Sequence, residues 1–166
     1  MRILKKTIII LLFLISLIFI LGFWYYQHLK PDYAGEITLN NIEQKTTVYF
    51  DDFGIPHIYA KSHLDAVTAL GYVQAQERLW QMDLMRRVAA GELSEWFGSM
   101  ALKYDTKQRQ EFWRTTAEHL YSQLPQDEKK FVDEYTHGVN RFIKQYKNQW
   151  GYEYYIMAEQ PRLWSG

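Results

Sequence analysis

Charged side chains are concentrated in residues 71–98, which the sequence pattern predicts to be one long helix followed by a turn. At helical spacing, arginines and carboxylates can neutralise one another in a partly buried network, or an arginine can bind an anionic ligand. The side chains that could form such a network, or bind such a ligand, are Glu77, Arg78, Asp83, Arg86 and Arg87.

Two observations favour the ion-pair network. Asp83 precedes Arg87 by four residues, which is the favourable order for an ion pair along a helix. The charges also fall beside the apolar Trp80 and Leu84 on the helical surface, as they would at an interface between packed elements. We therefore expect a partly buried network that specifies geometry, with a ligand-binding arginine as the alternative.

Histidines and carboxylates elsewhere in the chain raise the question of a metal site. His57 and His63 are six residues apart with no convincing third ligand nearby, so His57 is predicted to be a hydrogen-bonded strand residue. Glu134 and His137 have the i, i+3 spacing of carboxylate-bridged metal sites, but no other helix repeats the motif. A solvated helix face is the preferred interpretation, and the sequence assigns no metal ligand.

No set of residues forms a recognisable catalytic constellation. Asp51 and Asp52 are adjacent, so their side chains point apart, and a turn explains them better than shared proton chemistry. Ser94 has no glycine elbow around it and no base at a known distance, and we expect it to cap a helix. The sequence therefore assigns no catalytic residue and leaves substrate-binding residues unknown.

A β-hairpin is the first element predicted to position these side chains. Residues 46–50 (TTVYF) and 55–60 (IPHIYA) have strand composition, and the turn at residues 51–54 contains Gly54, which can adopt a positive φ. Two strands alone are marginally stable, and no other segment of the chain is a predicted strand. We therefore expect the chain to be incomplete, with the partners of the hairpin missing from it.

A long helix is predicted to follow the hairpin. Ser62 is placed to cap it, and Asp65 in its first turn favours the helix dipole. Gly91 is predicted to end it. A short helix over residues 92–97 then ends at Gly98.

Two further amphipathic helices are predicted before an irregular aromatic tail at residues 150–166. Asp105 and Gln108 resemble a capping box at the start of the first, and Pro125 suits the first turn of the second. The expected apolar faces of these helices are Trp113, Ala117, Leu120, Tyr121 and Leu124, and then Phe131, Tyr135, Val139, Phe142 and Tyr146.

An uncharged apolar run occupies residues 8–26. As a helix it would be about 28 Å long, close to the roughly 30 Å hydrocarbon core of a bilayer. Arg2, Lys5 and Lys6 precede the run and no acid does, which places the rest of the chain outside the cytoplasm. Residues 7–26 are therefore predicted to cross the cell membrane once, with the soluble part on the periplasmic or extracellular side.

A cleaved signal peptide is the alternative interpretation of this run. Signal peptides usually have a shorter apolar region that ends in small residues, whereas this run ends in the bulky GFWYY. An N-terminal core helix is less consistent, because nothing on it is polar enough to face water. The predicted organisation is a basic segment and signal-anchor at residues 1–26, a linker at residues 27–41 containing Pro31 and Gly35, and an incomplete domain at residues 42–166.

The composition excludes several classes of protein. The chain has no cysteine, which excludes a disulfide scaffold, a thiol nucleophile and a zinc–cysteine site. The 19 acidic and 19 basic side chains give no net charge and hence no nucleic-acid footprint. Aromatic residues make up 17% of the chain, which suits a large packed core or a surface that more protein covers.

Three motifs of the chain resemble the start of the α chain of the penicillin acylase (penicillin amidase) family, whose members are N-terminal nucleophile hydrolases and include acyl-homoserine lactone acylases. Weaker agreement continues through residues 135–140 to residues 161–164, so that the resemblance covers residues 48–164. Glu77 replaces the commoner aspartate of the family pattern. The motifs are VYFDDFGIPHIYA (residues 48–60), GYVQAQERLWQMD (residues 71–83, preceded by Asp65 and Ala66) and RRVAAGELSE (residues 86–95, followed by Phe97 and Gly98).

The resemblance implies hydrolysis of a linear amide by a precursor that cuts itself into α and β chains. In the family the new N-terminal serine of the β chain is the nucleophile, and its own α-amino group is the base. Those residues, the α-chain pocket segment and the calcium-binding acid of some members have no counterpart in this chain. The resemblance therefore implies no cofactor for this fragment, and calcium only as a property open to the complete enzyme.

The predicted fold class is one N-terminal transmembrane helix followed by a mainly α fragment with a β-hairpin. The resemblance implies that this fragment is part of a four-layer αββα hydrolase fold when complete, with the missing C-terminal remainder as its partner. We expect the chain to be inactive alone. The alternative is a membrane-tethered helical binding module, or the remnant of a truncated gene.

Overall fold

The computed structural model describes residues 2–28, 30, 33–39, 42–147 and 149–166. Pro31 and Asn41 of the predicted linker lie outside the described residues. The chain divides into two units, residues 1–32 and residues 33–166. The helices and strands are α1 (Arg2–His28), β1 (Thr47–Phe50), β2 (Pro56–Tyr59), α2 (His63–Ala90), α3 (Ser94–Phe97), α4 (Ser99–Gln110), α5 (Trp113–Gln123), α6 (Gln126–Gln145) and α7 (Tyr152–Ile156).

The first unit contains α1, the apolar helix that the sequence predicts. Its stretch Leu4–His28 has a mean hydropathy of 2.9 and is 0% buried. The helix continues two residues past Tyr26, the predicted end of the apolar run, and the ring of Trp24 stacks on that of His28 at 6.0 Å. A helix of this length and composition can cross a membrane, and a signal sequence near an N-terminus shares both properties.

The predicted hairpin is confirmed at the start of the second unit. Strands β1 and β2 pair antiparallel, with Tyr49 opposite His57. The Asp51 carboxylate accepts hydrogen bonds from the backbone N–H groups of Phe53 and Ile55, each at 2.9 Å, which builds the turn. Gly54 adopts the expected positive φ of 74°. The predicted role of Asp51 in turn formation is therefore confirmed.

Helix α2 begins and ends at the predicted residues. The Ser62 hydroxyl accepts a hydrogen bond from the Leu64 N–H at 3.2 Å and so caps the first turn. Gly91 adopts the left-handed conformation at φ 67° and donates its N–H to the Val88 carbonyl at 3.3 Å. This is the glycine-terminated helix end that the sequence indicates.

The core of the second unit lies where α2 and α6 cross. Gly71 of α2 faces the backbone of Tyr135, and Gly138 of α6 faces the backbone of Thr68, so closely that a Cβ at either glycine would overlap a carbonyl oxygen. Because these two glycines have no Cβ, the backbones of α2 and α6 can approach closely at both positions. The buried apolar side chains grouped around this crossing are Tyr72, Val73, Ala75, Leu79, Val139, Phe142, Ile143 and Tyr154.

Helices α4 and α5 differ from the prediction. Asp105 lies inside α4 rather than at a helix start, so the predicted capping box is wrong. Helix α5 forms, but its predicted apolar face is largely uncovered, with Trp113 56% and Leu120 57% exposed. Helix propensity and periodicity therefore located α5 correctly, although the described chain does not bury it.

Residues 33–39 of the predicted linker belong to the second unit. The ring of Tyr33 meets that of Phe50 at 4.7 Å, and the Thr38 carbonyl accepts a hydrogen bond from Arg141 Nη2 at 3.2 Å. Leu39 also packs against the buried cluster. These contacts fix residues 33–39 on the hairpin and α6.

Candidate functional site

One face of α2 carries the charges that the sequence singled out. Asp83 is 0% exposed and Arg87 1% exposed, and Arg87 Nε lies 3.8 Å from Asp83 Oδ2, so the predicted i, i+4 ion pair is confirmed. Arg86 binds the other oxygen of the same carboxylate, with its Nε 3.1 Å from Oδ1. Asp83 therefore neutralises two arginines from within the core.

Arg87 links α2 to α3. Its Nη1 donates a hydrogen bond to Glu95 Oε2 at 2.5 Å, and its guanidinium lies 4.1 Å from the centre of the Trp96 ring. Trp96 in turn stacks on Trp80 at 4.3 Å, with an interplanar angle of 9°. A planar guanidinium packs well on an indole face, so this stack holds the buried charge in one orientation.

Two further arginines complete the cluster from distant parts of the chain. Arg114 of α5 binds Glu92, and Arg162 bridges Glu92 and Glu95. Burial raises the pKa of Glu92, but the hydrogen bond from Arg114 and the nearby guanidinium charges outweigh it and hold this pKa below its ordinary value. Glu92 is therefore ionised at neutral pH.

Tyr154 covers the Asp83 end of the cluster. Its hydroxyl donates a hydrogen bond to Asp83 Oδ2 at 3.3 Å, and the residue is 1% exposed. Burial and the negative charge of Asp83 both raise the pKa of Tyr154. The phenol therefore stays protonated and acts as a fixed donor.

Asp105 supports the turn that carries Glu92 and Glu95. Its carboxylate accepts hydrogen bonds from the N–H groups of Leu93 at 2.9 Å and Ser94 at 2.6 Å, and from the Ser94 hydroxyl. The prediction that Ser94 caps a helix is wrong, because its hydroxyl donates to Asp105 instead. The carboxylate of a residue eleven positions away caps α3 in its place.

Glu77 and Arg78, which the sequence places in the same network, lie outside it. Arg78 has non-helical angles (φ −142°, ψ 25°) that kink α2, and both side chains are exposed. Desolvation and the neighbouring Glu77 carboxylate raise the pKa of Tyr33 to about 12. Glu77 therefore interacts with Tyr33, in the chain before the hairpin, rather than with the arginines around Asp83.

His57 and His137 each lie beside a carboxylate. His57 Nε2 lies 3.0 Å from Asp51 Oδ2, and this contact, followed by the turn hydrogen bonds, lowers the pKa of Asp51. The predicted hydrogen-bonded strand histidine is therefore confirmed. His137 lies 3.4 Å from Glu134, but Glu134 also accepts a hydrogen bond from the Thr68 hydroxyl of α2 at 2.9 Å. The predicted solvated face is thus wrong for Glu134, whose side chain is 21% exposed.

The geometry of the charged cluster favours a scaffold over a reaction centre. Each of its acids, Asp83, Glu92 and Glu95, contacts at least one arginine. A carboxylate held ionised by an arginine is a weak base, so the cluster is poorly suited to proton transfer. Within residues 2–28, 30, 33–39, 42–147 and 149–166, no three His, Cys, Asp or Glu side chains are grouped to hold a metal ion.

Sequence reasoning missed Glu92, Glu95, Asp105, Arg114 and Arg162 as members of the cluster. Arg162 is 70 residues from Glu92, and Arg114 is 22 residues from it. Neither separation gives a periodic signal. The sequence offered one indication: residues 161–164, where the family resemblance continues, include Arg162.

The sequence of the chain is similar to those of known proteins. Residues 45–166 match the sequence profile described as Penicillin amidase. The chain is 33% identical over 138 residues to "Penicillin acylase 2 proenzyme" of Pseudomonas sp. (strain SE83), covering 83% of this chain and 18% of that protein. It is 33% identical over 131 residues to "Acyl-homoserine lactone acylase QuiP" of Pseudomonas syringae pv. syringae (strain B728a), covering 79% of this chain and 16% of that protein.

The fold of the chain is also similar to that of a solved penicillin acylase structure. The thermostable penicillin G acylase from Alcaligenes faecalis superimposes with a TM-score of 0.66 at 30% identity, over 74% of this chain and 66% of that chain. The chain spans 16 to 18% of the length of the two curated relatives, so the similarity concerns one part of those proteins. The profile match over residues 45–166 covers most of the chain, which therefore belongs to the penicillin amidase family.

Proposed function

We propose that this chain forms the N-terminal part of a hydrolase that cleaves the carbon–nitrogen bond of linear amides. The match of residues 45–166 to the penicillin amidase family is the observation that carries the proposal. Relatives named as a penicillin acylase and as acyl-homoserine lactone acylases support two substrate classes, the penicillins and the acyl-homoserine lactones.

The chain itself would contribute scaffold rather than catalytic groups. The resemblance implies a nucleophilic serine and its α-amino base at the start of a β chain, and no residue here matches either. The arginine-paired acids support this division, because Arg87 of α2 binds Glu95 of α3, and Arg114 of α5 binds Glu92 in the turn between α2 and α3. We propose further that residues 42–166 are the acylase segment, residues 27–41 a linker and residues 1–26 the anchor.

An activity measurement tests the scaffold role directly. The chain, purified in detergent, is expected to release no amine from a phenylacetyl amide or from an acyl-homoserine lactone beyond a heat-killed control. Turnover above that control would show that the chain carries its own nucleophile, and the proposal would fail. Sequencing the gene downstream tests the other half: an open frame reaching a serine that starts a β chain supports the hydrolase, whereas a stop codon with no complementing gene counts against it.

We also propose that α1 anchors the chain in the cell membrane as a single-pass segment, with the rest on the periplasmic or extracellular side. The uncharged apolar stretch of α1 and the cationic Lys5 and Lys6 before it support this orientation. The chain is expected to stay in the membrane pellet after alkaline carbonate extraction at its full mass of 20.0 kDa. Release into the supernatant, or loss of residues 1–26 on mass analysis, would contradict an uncleaved anchor.

A membrane-tethered binding module is the second candidate function. The uncovered surface of α4 and α5 favours it, with Met100 87% exposed, Phe112 64% and Trp113 56%. Apolar patches of this kind commonly mark surfaces that another protein covers. The downstream sequence separates the two candidates, because only the hydrolase requires an acylase remainder.

A further inference from the structure

Arg87 is buried beside fewer acceptors than it has donors. A guanidinium carries five N–H donors and no acceptor. Arg87 Nη1 donates to Glu95 Oε2 at 2.5 Å, but Arg87 Nε lies 3.8 Å from Asp83 Oδ2, beyond hydrogen-bonding distance. Within the described part of the chain, Nε and Nη2 have no hydrogen-bond partner, although Arg87 is 1% exposed. Because buried donors are almost always paired, these two nitrogens require an acceptor beyond the neighbouring side chains.

The carboxylates beside Arg87 are shared with other arginines. Asp83 also binds Arg86, whose Nε lies 3.1 Å from Asp83 Oδ1, and Glu95 also binds Arg162. Each carboxylate carries one negative charge, so neither can fully neutralise both of its arginines. The buried guanidinium of Arg87 is therefore only partly compensated by the acids in contact with it.

The cluster as a whole carries one more positive than negative charge. Two of its arginines, Arg114 and Arg162, have side chains 49% and 50% exposed, so that water solvates their charges. Arg87 has no such access to water, and the uncompensated charge is therefore most costly there. The members of the cluster are four arginines, Arg86, Arg87, Arg114 and Arg162, and three acids, Asp83, Glu92 and Glu95.

The stack of Arg87 on Trp96 contains a further buried donor. The Arg87 guanidinium lies 4.1 Å from the centre of the Trp96 ring, and the indole Nε1 of Trp96 is buried with no partner among the described residues. An indole N–H can only donate. The Trp164 ring, 5.1 Å from the Arg86 guanidinium, has a buried Nε1 of the same kind. The excess of donors thus extends along both arginines of α2.

We propose that the stack of Arg87 and Trp96 binds a chloride ion, which accepts hydrogen bonds from the guanidinium and from the indole N–H. A chloride ion supplies both the negative charge and the acceptor that the cluster is short of. A water molecule would accept at most two hydrogen bonds and would add two donors of its own. Because the donor nitrogens are buried, a ligand the size of a substrate carboxylate does not reach them unless the cluster opens.

An anion in this position would join two helices. Arg87 belongs to α2 and Trp96 to α3, and the turn between them carries Glu92. A chloride ion bound by both side chains would therefore hold α3 against α2. Stability of the second unit is expected to depend on the identity of the anion as well as on ionic strength.

Urea unfolding of the full chain in detergent tests this dependence. Sodium chloride replaces sodium gluconate at constant ionic strength, because gluconate is too large to reach the buried donors. A ligand that binds only the folded chain lowers the unfolding constant by the factor 1 + [L]/Kd, so chloride at ten times its Kd is expected to lower it about elevenfold. An unfolding constant that does not change as chloride replaces gluconate would overturn the proposal.

Trp96→Phe removes the indole N–H and keeps an aromatic ring against the guanidinium. The variant is expected to bind chloride at least about tenfold more weakly, which is the effect of losing one hydrogen bond to a charged acceptor. Trp113→Phe is the matched control, since Trp113 is 56% exposed, and it is expected to keep the full chloride response. Equal responses of the two variants and the unaltered chain would indicate a general salt effect and refute the site.

Crystals of the full chain grown in bromide provide a test that needs no variant. Bromide can replace chloride and scatters anomalously. An anomalous peak is expected within hydrogen-bonding reach of Arg87 Nη2 and Trp96 Nε1. Density at that position without an anomalous signal would identify a water molecule as the acceptor, and the proposal would be wrong.

Discussion

Gly138 of α6 lies against the backbone of Thr68 in α2, and a Cβ on that glycine would overlap the Thr68 carbonyl oxygen. Gly71 makes the equivalent approach to Tyr135 one turn away. The close contact between α2 and α6, the two longest helices of the second unit, therefore requires residues without a Cβ at positions 71 and 138. In ordinary helices alanine is favoured over glycine, so selection for close approach must outweigh helix propensity here.

Gly138→Ala is expected to destabilise the second unit although it improves helix propensity. The added methyl group must push α6 away from α2, and overpacking of this kind costs about 1 to 3 kcal/mol. Thermal unfolding followed by circular dichroism measures the effect. Lys130→Ala, an exposed change on the same helix, is expected to stay within about 0.5 kcal/mol of the unaltered chain. Equal stability of Gly138→Ala and Lys130→Ala would mean that the helices are not in contact at this point.

Asp105→Asn is expected to loosen the turn between α2 and α4. An amide oxygen replaces a carboxylate that accepts three hydrogen bonds, and two of them come from the N–H groups of Leu93 and Ser94. The expected loss at pH 7 is about 1 to 3 kcal/mol of unfolding free energy. Asp127→Asn, on the exposed first turn of α6, is the matched control and should change little.

The contribution of Asp105 to the free energy of unfolding is expected to decrease as the pH falls. Burial raises the pKa of Asp105, but the hydrogen bonds from Ser94 and Leu93 and the charge of Arg109 outweigh it and lower the net pKa. A lowered folded pKa means that the ionised carboxylate stabilises the fold above its unfolded pKa of about 4 and loses this effect as the pH falls further. Denaturant unfolding should therefore show the gap between wild type and Asp105→Asn closing below about pH 4. A gap that is constant down to pH 2.5 would contradict a role for the charge.

Asp83→Ala is expected to cost more than the loss of any surface ion pair. It leaves Arg87, 1% exposed, without its partner on α2, and breaking a buried pair costs about 3 to 5 kcal/mol. The pair Lys45 and Glu36, at 3.4 Å and with side chains 80% and 89% exposed, provides the control. Glu36→Ala is expected to change stability by less than about 1 kcal/mol.

A double substitution separates the charge effect from simple loss of packing. Asp83→Leu together with Arg87→Met removes both buried charges while keeping volume, and such replacements are often neutral or stabilising. The double variant is therefore expected to be more stable than Asp83→Ala in urea unfolding. If the double variant is the less stable of the two, leaving the Arg87 guanidinium unpaired costs less than the two replacement side chains do, and this prediction fails.

Local signals explain which parts of the fold the sequence predicted. The Ser62 cap, the Gly91 helix end and the turn at Asp51 each depend on residues within five positions of one another, so their chemistry is visible in a short window. The Asp83–Arg87 pair is readable for the same reason, since both residues lie on one helix.

Long-range contacts explain what the sequence did not predict. Asp105 resembles a helix cap because aspartate is common there, yet its partners lie across a turn that only the folded chain brings near. Helix α2 is kinked at Arg78, next to Glu77, and no glycine or proline in the sequence marks this kink. Motif matching found the family despite these errors, because it depends on residue identity rather than on the location of each contact.

Tyr154→Phe tests whether the buried phenol supports the cluster. Loss of its hydrogen bond to Asp83 is expected to cost about 1 kcal/mol at pH 7. Burial and the Asp83 charge raise the pKa of Tyr154 in the folded chain, so this tyrosine stabilises the fold fully below its unfolded pKa of about 10 and progressively less as the pH rises toward the folded value. The wild type is therefore expected to lose its advantage over Tyr154→Phe above pH 10 and to become the less stable chain at higher pH. Urea unfolding at a series of pH values measures this difference. A difference between the wild type and Tyr154→Phe that stays constant as the pH rises would show that the phenol ionises equally easily in the folded and unfolded chain.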